Sequence, residues 1–394
     1  MAWKETHVMD ERLMLAAEWL AGDLSKAEIC RRYGVSRKTG YKIAGRYELE
    51  GPAGLLDRSR APHVHPNAVG EEEEAMILAL RAKHPSWGPK KIKARLEDIH
   101  RHRVWPAAST IGAILGRHGL VARRKLRRRA SPSVSALLAA DEANQVWGID
   151  FKGWFRTGDG ARCDPLSISD LASRYVIRLQ AVTRPDEAHV WPVVEAAFIE
   201  FGVPGRMRSD NGPPFASTGA GGLSRLSVKL IKAGVLPERI EPGKPQQNGR
   251  HERLHRTLKA ETASPPAADL RAQQRRFDDF RRTFNHERPH EALGQETPAS
   301  HFAPAARSYS CRLKEPEYPE GHHIRRVRQN GEIKWAGELI FLSEALVGEP
   351  VGIAATDDGR FSVHFGPVYL GFLDHRATLI RKPIEPNANP TPPR

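Results

Sequence analysis

The sequence predicts a multidomain protein with helical amino-terminal domains, a mixed α/β middle domain and a small all-β carboxy-terminal domain. Apolar residues recur with the period of a helix in the first third, and strand-like and helix-like segments alternate in the middle. Near the end, short alternating segments are separated by Asn-Gly and Asp-Gly turn signals. A length of 394 residues also exceeds one ordinary domain and predicts three or four.

The composition points to a polyanionic partner. The net charge is +14 and the pI is about 9.9, so nucleic acid is the natural candidate, although ribosomal, membrane-surface and other soluble proteins share this balance. Cys30, Cys163 and Cys311 lie far apart and predict a reducing compartment without a disulfide framework. Residues 1–10 do not resemble a signal peptide, and no apolar run is long enough to cross a membrane.

Residues 1–51 have the pattern of a helix-turn-helix domain. Three helices are predicted: Ser25 and Glu28 form a capping box at the second, and Ser36 caps the third. The third helix would enter the major groove of DNA. Its predicted DNA-binding residues are Arg37, Lys38, Thr39, Lys42 and Arg46. The alternative is a small helical bundle with a solvated basic face.

A second helical domain is predicted over residues 68–121. One helix spans Glu71 to Leu80, Pro89 begins the next, and Ser109 or Thr110 caps a third. The pattern suits a second helix-turn-helix-like domain, but it would serve a purely structural bundle equally well.

A basic linker follows at residues 122–139. It contains six cations within seven positions, namely Arg123, Arg124, Lys125, Arg127, Arg128 and Arg129. Such runs are often only solvated. Here we expect them to follow DNA phosphates or enter a minor groove, with binding that weakens as salt rises.

Three acidic residues lie in three separate motifs of the middle domain. Asp150 is in the strand-like WGIDFKGW, Asp210 ends a short strand in RSDNGPPF, and Glu252 is in a helix that begins within KPQQNGRHER. Each motif alone has an ordinary structural explanation, such as a surface carboxylate, a turn or a solvated ion pair. Their combination in this order is far more specific.

The combination resembles the catalytic core of DDE-type transposases of bacterial insertion sequences, which have a retroviral-integrase-like core. The resemblance covers residues 140–302 and implies an α/β ribonuclease-H-like fold with a mixed five-stranded sheet. It further implies that Asp150, Asp210 and Glu252 are the catalytic, metal-binding triad.

The order of segments in the middle domain agrees with that fold. Three strands with short connections predict an antiparallel meander, followed by helix, strand, helix, strand and helix. The resemblance implies that the fourth strand lies beside the first, as it does in that fold, and this would bring Asp210 to Asp150. The last strand is predicted near Arg239 to Glu241, and an excess of chain at Gly219–Gly222 has no assigned role.

Three carboxylates suit two Mg²⁺ ions, with Mn²⁺ also possible, because hard oxygen ligands prefer these cations. Asn248, Arg256 and Lys259 lie beside Glu252 in the sequence and are predicted to contact DNA. The expected partners are double-stranded DNA, as terminal inverted repeats and as target, and further copies of the chain, at least a dimer on DNA. We expect a cytoplasmic protein at the bacterial nucleoid, with no membrane partner.

Residues 320–378 are predicted to form a small β-barrel of five short strands, similar to the carboxy-terminal DNA-binding barrels of transposases and integrases. Protein contact is an equally open role for it. Residues 379–394 are rich in proline and predict a disordered tail.

The sequence therefore predicts a DNA transposase, a polynucleotidyl transferase and endonuclease that cleaves element ends and joins them to target DNA. Two other classes stay open. One is a domesticated sequence-specific DNA-binding regulator that keeps the core as a scaffold. The other is a ribonuclease-H-type nuclease, which the doubled helix-turn-helix pattern disfavours because that motif reads B-form DNA.

Overall fold

The computed structural model describes residues 7–59, 68–121, 137–242, 244–357, 359–373 and 379–380. The chain divides into two compact units, Met1–Ala68 and Val69–Arg394. The six cations of the predicted linker, and residues 381–394 of the predicted tail, lie outside the described residues. Within the described part of the chain, no helix has the length and apolar character needed to span a membrane.

The first unit contains the three predicted helices. They are α1 (Val8–Ala21), α2 (Lys26–Arg32) and α3 (Arg37–Glu50). The Ser36 hydroxyl accepts a hydrogen bond from the Thr39 amide at 3.2 Å, so the predicted cap of α3 is confirmed. The predicted capping box at α2 is wrong, because the Ser25 hydroxyl donates to the Glu28 carboxylate at 3.4 Å and caps no backbone amide.

The second unit begins with another group of three helices. They are α4 (Glu71–Lys83), α5 (Pro89–Ile99) and α6 (Ala108–Arg117). Pro89 begins α5 as predicted. Ser109 and Thr110 are not caps, because the Ile111 amide already bonds the Ala107 carbonyl at 3.0 Å and the helix therefore begins earlier.

This helical group docks on the end of the middle domain through its basic side chains. Lys83 pairs with Glu287 at 3.2 Å, and Lys90 pairs with Glu291 at 2.8 Å. These two pairs connect α4 and α5 to the middle domain.

The middle domain is a mixed sheet with helices on both faces. Its strands are β1 (Val146–Phe151), β2 (Phe155–Arg156), β3 (Arg162–Asp170), β4 (Val176–Val182), β5 (Arg206–Ser209) and β6 (Leu236–Arg239). Its helices are α7 (Glu187–Phe201), α8 (Arg225–Lys232), α9 (Gly249–Thr262) and α10 (Leu270–His286). The main strands run in the order β4-β3-β1-β5-β6; the first three are antiparallel, and β5 and β6 are parallel to β1.

The predicted meander and the predicted neighbours β1 and β5 are therefore confirmed. The last strand begins three residues before its predicted start, because Leu236–Arg239 pair in register with Arg206–Ser209. Helices α7 and α8 cover the face that carries Trp147 and Ile149. Helices α9 and α10 cover the opposite face.

The end of the middle domain packs against the sheet and closes one of its edges. Phe277, Phe280 and Phe284 of α10 are buried against the sheet. The Asn285 side chain bonds both the amide and the carbonyl of Val176 at the start of β4, at 2.8 and 2.9 Å. These contacts close the exposed edge of the sheet.

The carboxy-terminal strands form an open sheet, so the predicted small β-barrel is not confirmed. The strands are β7 (His323–Arg326), β8 (Glu332–Trp335), β9 (Glu338–Phe341), β10 (Pro350–Ala355), β11 (Phe361–Phe365), β12 (Val368–Leu373) and β13 (Leu379–Ile380). The order β13-β12-β11-β10-β7 leaves two free edges among the described strands, and β8 with β9 is a separate hairpin. Ala336 and Gly337 turn the chain between the two strands of that hairpin, with φ of 49° and 90°.

The segment Gly219–Gly222 joins the middle domain to this sheet. Its Ala220 is fully buried among side chains of the carboxy-terminal strands, together with Leu223 and with Val228 and Ile231 of α8. Lys232 adds an ion pair with Glu349 at 2.8 Å. The extra length between Asp210 and Glu252 thus forms a docking surface.

Candidate active site

Asp150 and Asp210 come together because of the register of two parallel strands. Val146 of β1 lies opposite Arg206 of β5, and Gly148 lies opposite Arg208. Continuing this register by two residues brings Asp150 level with Asp210, where β5 ends. The predicted meeting of these two carboxylates therefore follows from the sheet itself.

The Asp150 carboxylate lies in an environment that disfavours its charge. Its side chain is 15% exposed. Burial, and then the negative charge of Asp210, raise the pKa of Asp150 to about 7, whereas the hydrogen bond from Asn248 acts in the opposite direction. The Asn248 amide donates to Asp150 Oδ2 at 2.8 Å. Although Asn248 occupies the N-cap of α9, its side chain caps no amide there and holds Asp150 instead.

Asp210 is oriented by the turn that follows β5. Its Oδ1 accepts a hydrogen bond from the Gly212 amide at 3.0 Å. Asn211 anchors the turn by donating to the Ile240 carbonyl at 2.7 Å. Within the described residues, neither Asp150 nor Asp210 forms an ion pair with a lysine or arginine. Two converging carboxylates without a protein cation are a donor set that fits a divalent metal ion.

Two histidines of α9 pack beneath the acidic pair, and the sequence analysis missed both. His255 Nε2 is 2.7 Å from the Ser167 hydroxyl, and its Nδ1 is 3.8 Å from Asp150 Oδ2. His251 Nε2 is 2.7 Å from the Ser169 hydroxyl. Burial lowers the pKa of His251 to about 4, and burial followed by the charge of His251 lowers that of His255 to about 3, so both rings are neutral.

The histidine pair had a signal in the sequence. His251 and His255 are four residues apart on one helix face, and Ser167 and Ser169 alternate on one strand face. The helix approaches closely because Gly148 lies beneath it: a Cβ there would be 2.8 Å from the His251 ring. Gly148, two residues before Asp150 on the same strand face, therefore allows the close approach of α9 to β1.

Glu252 is not gathered with the two aspartates in this structure. It lies in the first turn of α9 with an exposed side chain, and it lines a cleft of about 580 Å³ with Lys152, His255, Arg256 and Lys259. Over the described ranges, no three acidic, histidine or cysteine side chains are arranged to hold a metal ion. The triad thus stays a prediction.

The predicted DNA contacts differ in their availability. Arg256 and Lys259 are exposed on the cleft side of α9, whereas the amide of Asn248 is engaged with Asp150. On α3 of the first unit, an exposed group comprises Arg37, Lys38, Thr39 and Lys42. Arg46 differs from that group, because its guanidinium donates to the Leu56 carbonyl at 2.5 Å and is half-buried.

Comparison with known protein families places integrase core and helix-turn-helix domains in this chain. Two integrase core domain models match residues 140–245 and 233–298. A helix-turn-helix domain model matches residues 11–63, and a homeodomain-like domain model matches residues 39–115. The chain thus contains regions that match helix-turn-helix and integrase core domains.

Relatives from bacterial insertion elements narrow this class. The insertion element IS476 uncharacterized 39.2 kDa protein of Xanthomonas euvesicatoria is 28% identical over 185 residues, which are 46% of this chain and 51% of that protein. The insertion element IS407 uncharacterized 31.7 kDa protein of Burkholderia multivorans is 25% identical over 240 residues, 60% of this chain and 83% of that protein. This chain therefore spans about half the length of the first relative. The predicted resemblance to insertion-sequence transposases with an integrase-like core is confirmed.

Solved structures give only distant likenesses. A chain of the simian T-cell lymphotropic virus intasome in complex with PP2A regulatory subunit B56 gamma is 16% identical, with a TM-score of 0.37, over 70% of this chain and 97% of that chain. The HTLV-2 integrase catalytic core domain in complex with magnesium is 14% identical, with a TM-score of 0.30, over 41% of this chain and 96% of that chain. Scores this low do not bear on the function.

Proposed function

We propose that this protein is a DNA transposase that cleaves phosphodiester bonds at the ends of a mobile element and joins those ends to target DNA. The observation that carries the proposal is the pair Asp150 and Asp210, two converging carboxylates that form no ion pair with a lysine or arginine among the described residues, in a region that matches an integrase core domain. A buried carboxylate is normally paired with a cationic side chain. Two neighbouring carboxylates without such a partner therefore indicate a functional site.

Asp150 and Asp210 would hold two Mg²⁺ ions, with Glu252 as the third carboxylate and Mn²⁺ as a possible substitute. When bound, the ions supply charge stabilisation at the attacking and leaving oxygens of an in-line displacement. Asn248 and the Gly212 amide keep the two aspartates in fixed orientations. Neutral His255 and Ser167 support Asp150 from below without neutralising it.

The exposed Arg256 and Lys259 would contact phosphates that approach the acidic pair along the cleft. The exposed residues of α3 would read the element ends in the major groove. In the reaction, water attacks the phosphodiester at the element end, and the freed 3′ hydroxyl then attacks a phosphodiester of target DNA. Joining two element ends at one target requires at least a dimer of this protein on DNA. The reaction would take place in the cytoplasm, where the bacterial chromosome lies.

A strand-transfer assay tests the proposal. Labelled duplexes from both flanks of the DNA that encodes the chain are mixed with plasmid target, Mg²⁺ and either the parent or the Asp210→Asn variant. We expect joined product with the parent and a loss on the order of 10⁴-fold with Asp210→Asn. Asp279→Asn is the matched control, because that carboxylate is exposed on α10 in a surface ion pair with Arg282.

Two outcomes would contradict the proposal. Sequence-specific binding of the flanking DNA without cleavage by the parent would favour the regulator with a scaffold core. Cleavage of RNA–DNA hybrids in preference to duplex DNA would favour the ribonuclease-H-type nuclease.

A further inference from the structure

A cluster of cations lies on the flank of α9 opposite the acidic cleft. Residues 252, 256 and 259 of α9 face the cleft, whereas Arg250 and Arg253 lie on the other side of the helix. The charge of Arg174, in the turn between β3 and β4, interacts with those of Arg250 and Arg253, and the charge of Lys91 of α5 interacts with that of Arg253. The cluster therefore draws on three elements that are far apart in the sequence.

The turn that carries Arg174 is rigid. Arg174 has a φ of 66°, which is uncommon for a residue with a side chain. The Asp170 carboxylate accepts hydrogen bonds from the Ser173 amide and hydroxyl at 2.7 and 2.6 Å, and from the Asn144 amide at 2.8 Å. The backbone conformation is fixed by these contacts, so the Arg174 side chain is presented in one direction.

Among the described residues, Arg174 forms no ion pair. Its Nε is buried without a hydrogen-bond partner. Burial, and then the charges of Arg250 and Arg253, lower the pKa of Arg174 to about 10, and Asp170 only partly offsets them. A buried charge without a paired group is costly to the folded protein. Within the described part of the chain, only the more distant charge of Asp170 acts against this cost.

The neighbouring cations add to this positive charge. Arg250 donates to the Leu171 carbonyl in the same turn, and Lys91 donates to the Pro289 carbonyl. Neither acceptor carries a formal charge. Among the described residues, Arg253 forms neither an ion pair nor a side-chain hydrogen bond.

Other cations of this region have their charge compensated by a carboxylate in an ion pair. Arg288 pairs with Glu261 at 3.2 Å, and Lys90 pairs with Glu291 at 2.8 Å. The protein thus supplies close ion pairs to some cations of this region. Among the described residues, Arg174, Arg250 and Arg253 have none, and the charges of Asp170 on Arg174 and Arg250, and of Glu291 on Arg253, act from beyond ion-pair distance. Guanidinium groups in such a setting match the oxygens of a phosphate group.

We propose that Arg174, Arg253 and Lys91, with Arg250 beside them, form a binding site for a phosphate of a DNA backbone. The site rests on the proposed function for the identity of its ligand. Because Lys91 belongs to the helical group and the arginines belong to the middle domain, a phosphate held there would join α5 to α9. Duplex DNA would then contact α9 on the flank that carries Arg250 and Arg253 as well as on the side that faces the cleft.

The test measures DNA binding without catalysis. Fluorescence anisotropy of a labelled duplex is recorded in EDTA between about 50 and 200 mM salt, for the full-length parent and for Arg174→Gln, Arg174→Lys and Arg275→Gln. Arg275→Gln is the matched control, because Arg275 is exposed on α10 and its loss changes the net charge equally. Melting temperatures are measured for each protein with and without inorganic phosphate.

We expect Arg174→Gln to weaken DNA binding roughly tenfold and to reduce the salt slope by about 0.9, the effect of one phosphate contact. Its melting temperature should not fall, because the variant loses an uncompensated charge. Arg174→Lys should keep the salt slope of the parent. Arg275→Gln should change the DNA affinity and the salt slope less than Arg174→Gln does. Inorganic phosphate should stabilise the parent more than Arg174→Gln.

Three results would overturn the site. The first is an unchanged salt slope in Arg174→Gln together with a lower melting temperature, which identifies a structural arginine. The second is stabilisation by inorganic phosphate without any change in DNA binding, which identifies a site for a small anion. The third is an equal effect of Arg275→Gln, which identifies net charge alone.

Failure of the proposed function gives a different result. If strand transfer is absent but Arg174→Gln still has a lower DNA affinity and a smaller salt slope than the parent, the phosphate site is supported and the transposase proposal is contradicted. If strand transfer occurs and the Arg174 variants bind normally, only the phosphate site falls.

Discussion

Asp150 on β1 and Glu238 on β6 are two buried carboxylates of the same sheet with opposite surroundings. The Glu238 side chain is fully buried and bonds Arg208 Nε at 2.6 Å, with Arg206 at 3.8 Å and the Leu138 amide at 3.2 Å. Asp150 has one neutral donor side chain, Asn248, and a second acid nearby. A carboxylate with its cations stabilises the fold, whereas one without them is available to an external cation.

The largest expected effect separates activity from stability at Asp150. Asp150→Asn should reduce strand transfer on the order of 10⁴-fold, because it removes an oxygen ligand from the proposed metal site. The melting temperature should hold or rise, because the repulsion with Asp210 disappears. A large loss of stability in this variant would mean that Asp150 is structural like Glu238.

Glu238→Gln should show the reverse pattern. Loss of this charge leaves Arg208 buried beside a neutral amide, and the free energy of unfolding should fall by about 3–5 kcal/mol. Urea unfolding measures this change. Glu200→Gln is the control: its exposed pair with Arg178 should contribute less than about 1 kcal/mol. Equal losses in the two variants would remove the distinction between buried and exposed pairs.

The pH dependence of stability should sharpen the same comparison. The pKa of Asp150 is raised to about 7 by burial and then by Asp210, whereas in the unfolded chain it is near its ordinary value of 3.8. The stability contributed by the protonated carboxyl is fully present below the ordinary pKa and is lost as the pH rises through about 7. In EDTA, the parent should therefore lose stability between about pH 4 and 7 relative to Asp150→Asn.

Melting curves of the two proteins across that range check this expectation. Mg²⁺ should restore much of the stability of the parent at the upper end of the range and leave Asp150→Asn nearly unchanged, because an external cation would replace the proton. Parallel curves for the parent and the variant in EDTA would contradict the assigned environment of Asp150.

The smallest effect is expected on the cleft side of α9. Arg256→Gln should weaken duplex binding in EDTA by roughly three- to tenfold and reduce the salt slope by about 0.9, without a preference for DNA sequence. Anisotropy titrations on two unrelated duplexes measure both quantities. A loss confined to one duplex would indicate base recognition instead of a phosphate contact.

Local patterns in the sequence were sufficient for the elements and for part of the site. Alternation around Asp150 and the turn after Asp210 predicted the two strands that now lie side by side, and Ser36 was recognised as a cap from its own neighbourhood. Each of these features depends on residues within one turn or one strand. The sequence pattern also suggested a barrel, but it could not reveal that the last strands leave an open sheet.

The sequence by itself determined the order of strands and helices and, through them, the meeting of Asp150 with Asp210. Only the tertiary structure decided which charges are compensated. Glu238 obtains its arginines from the neighbouring strand, whereas among the described residues Arg174 meets α9 without an ion pair and no third acid joins the two aspartates in a metal-holding group. The physical reason is that helical and strand periods are local, whereas a counterion is supplied by whichever distant segment the fold brings close.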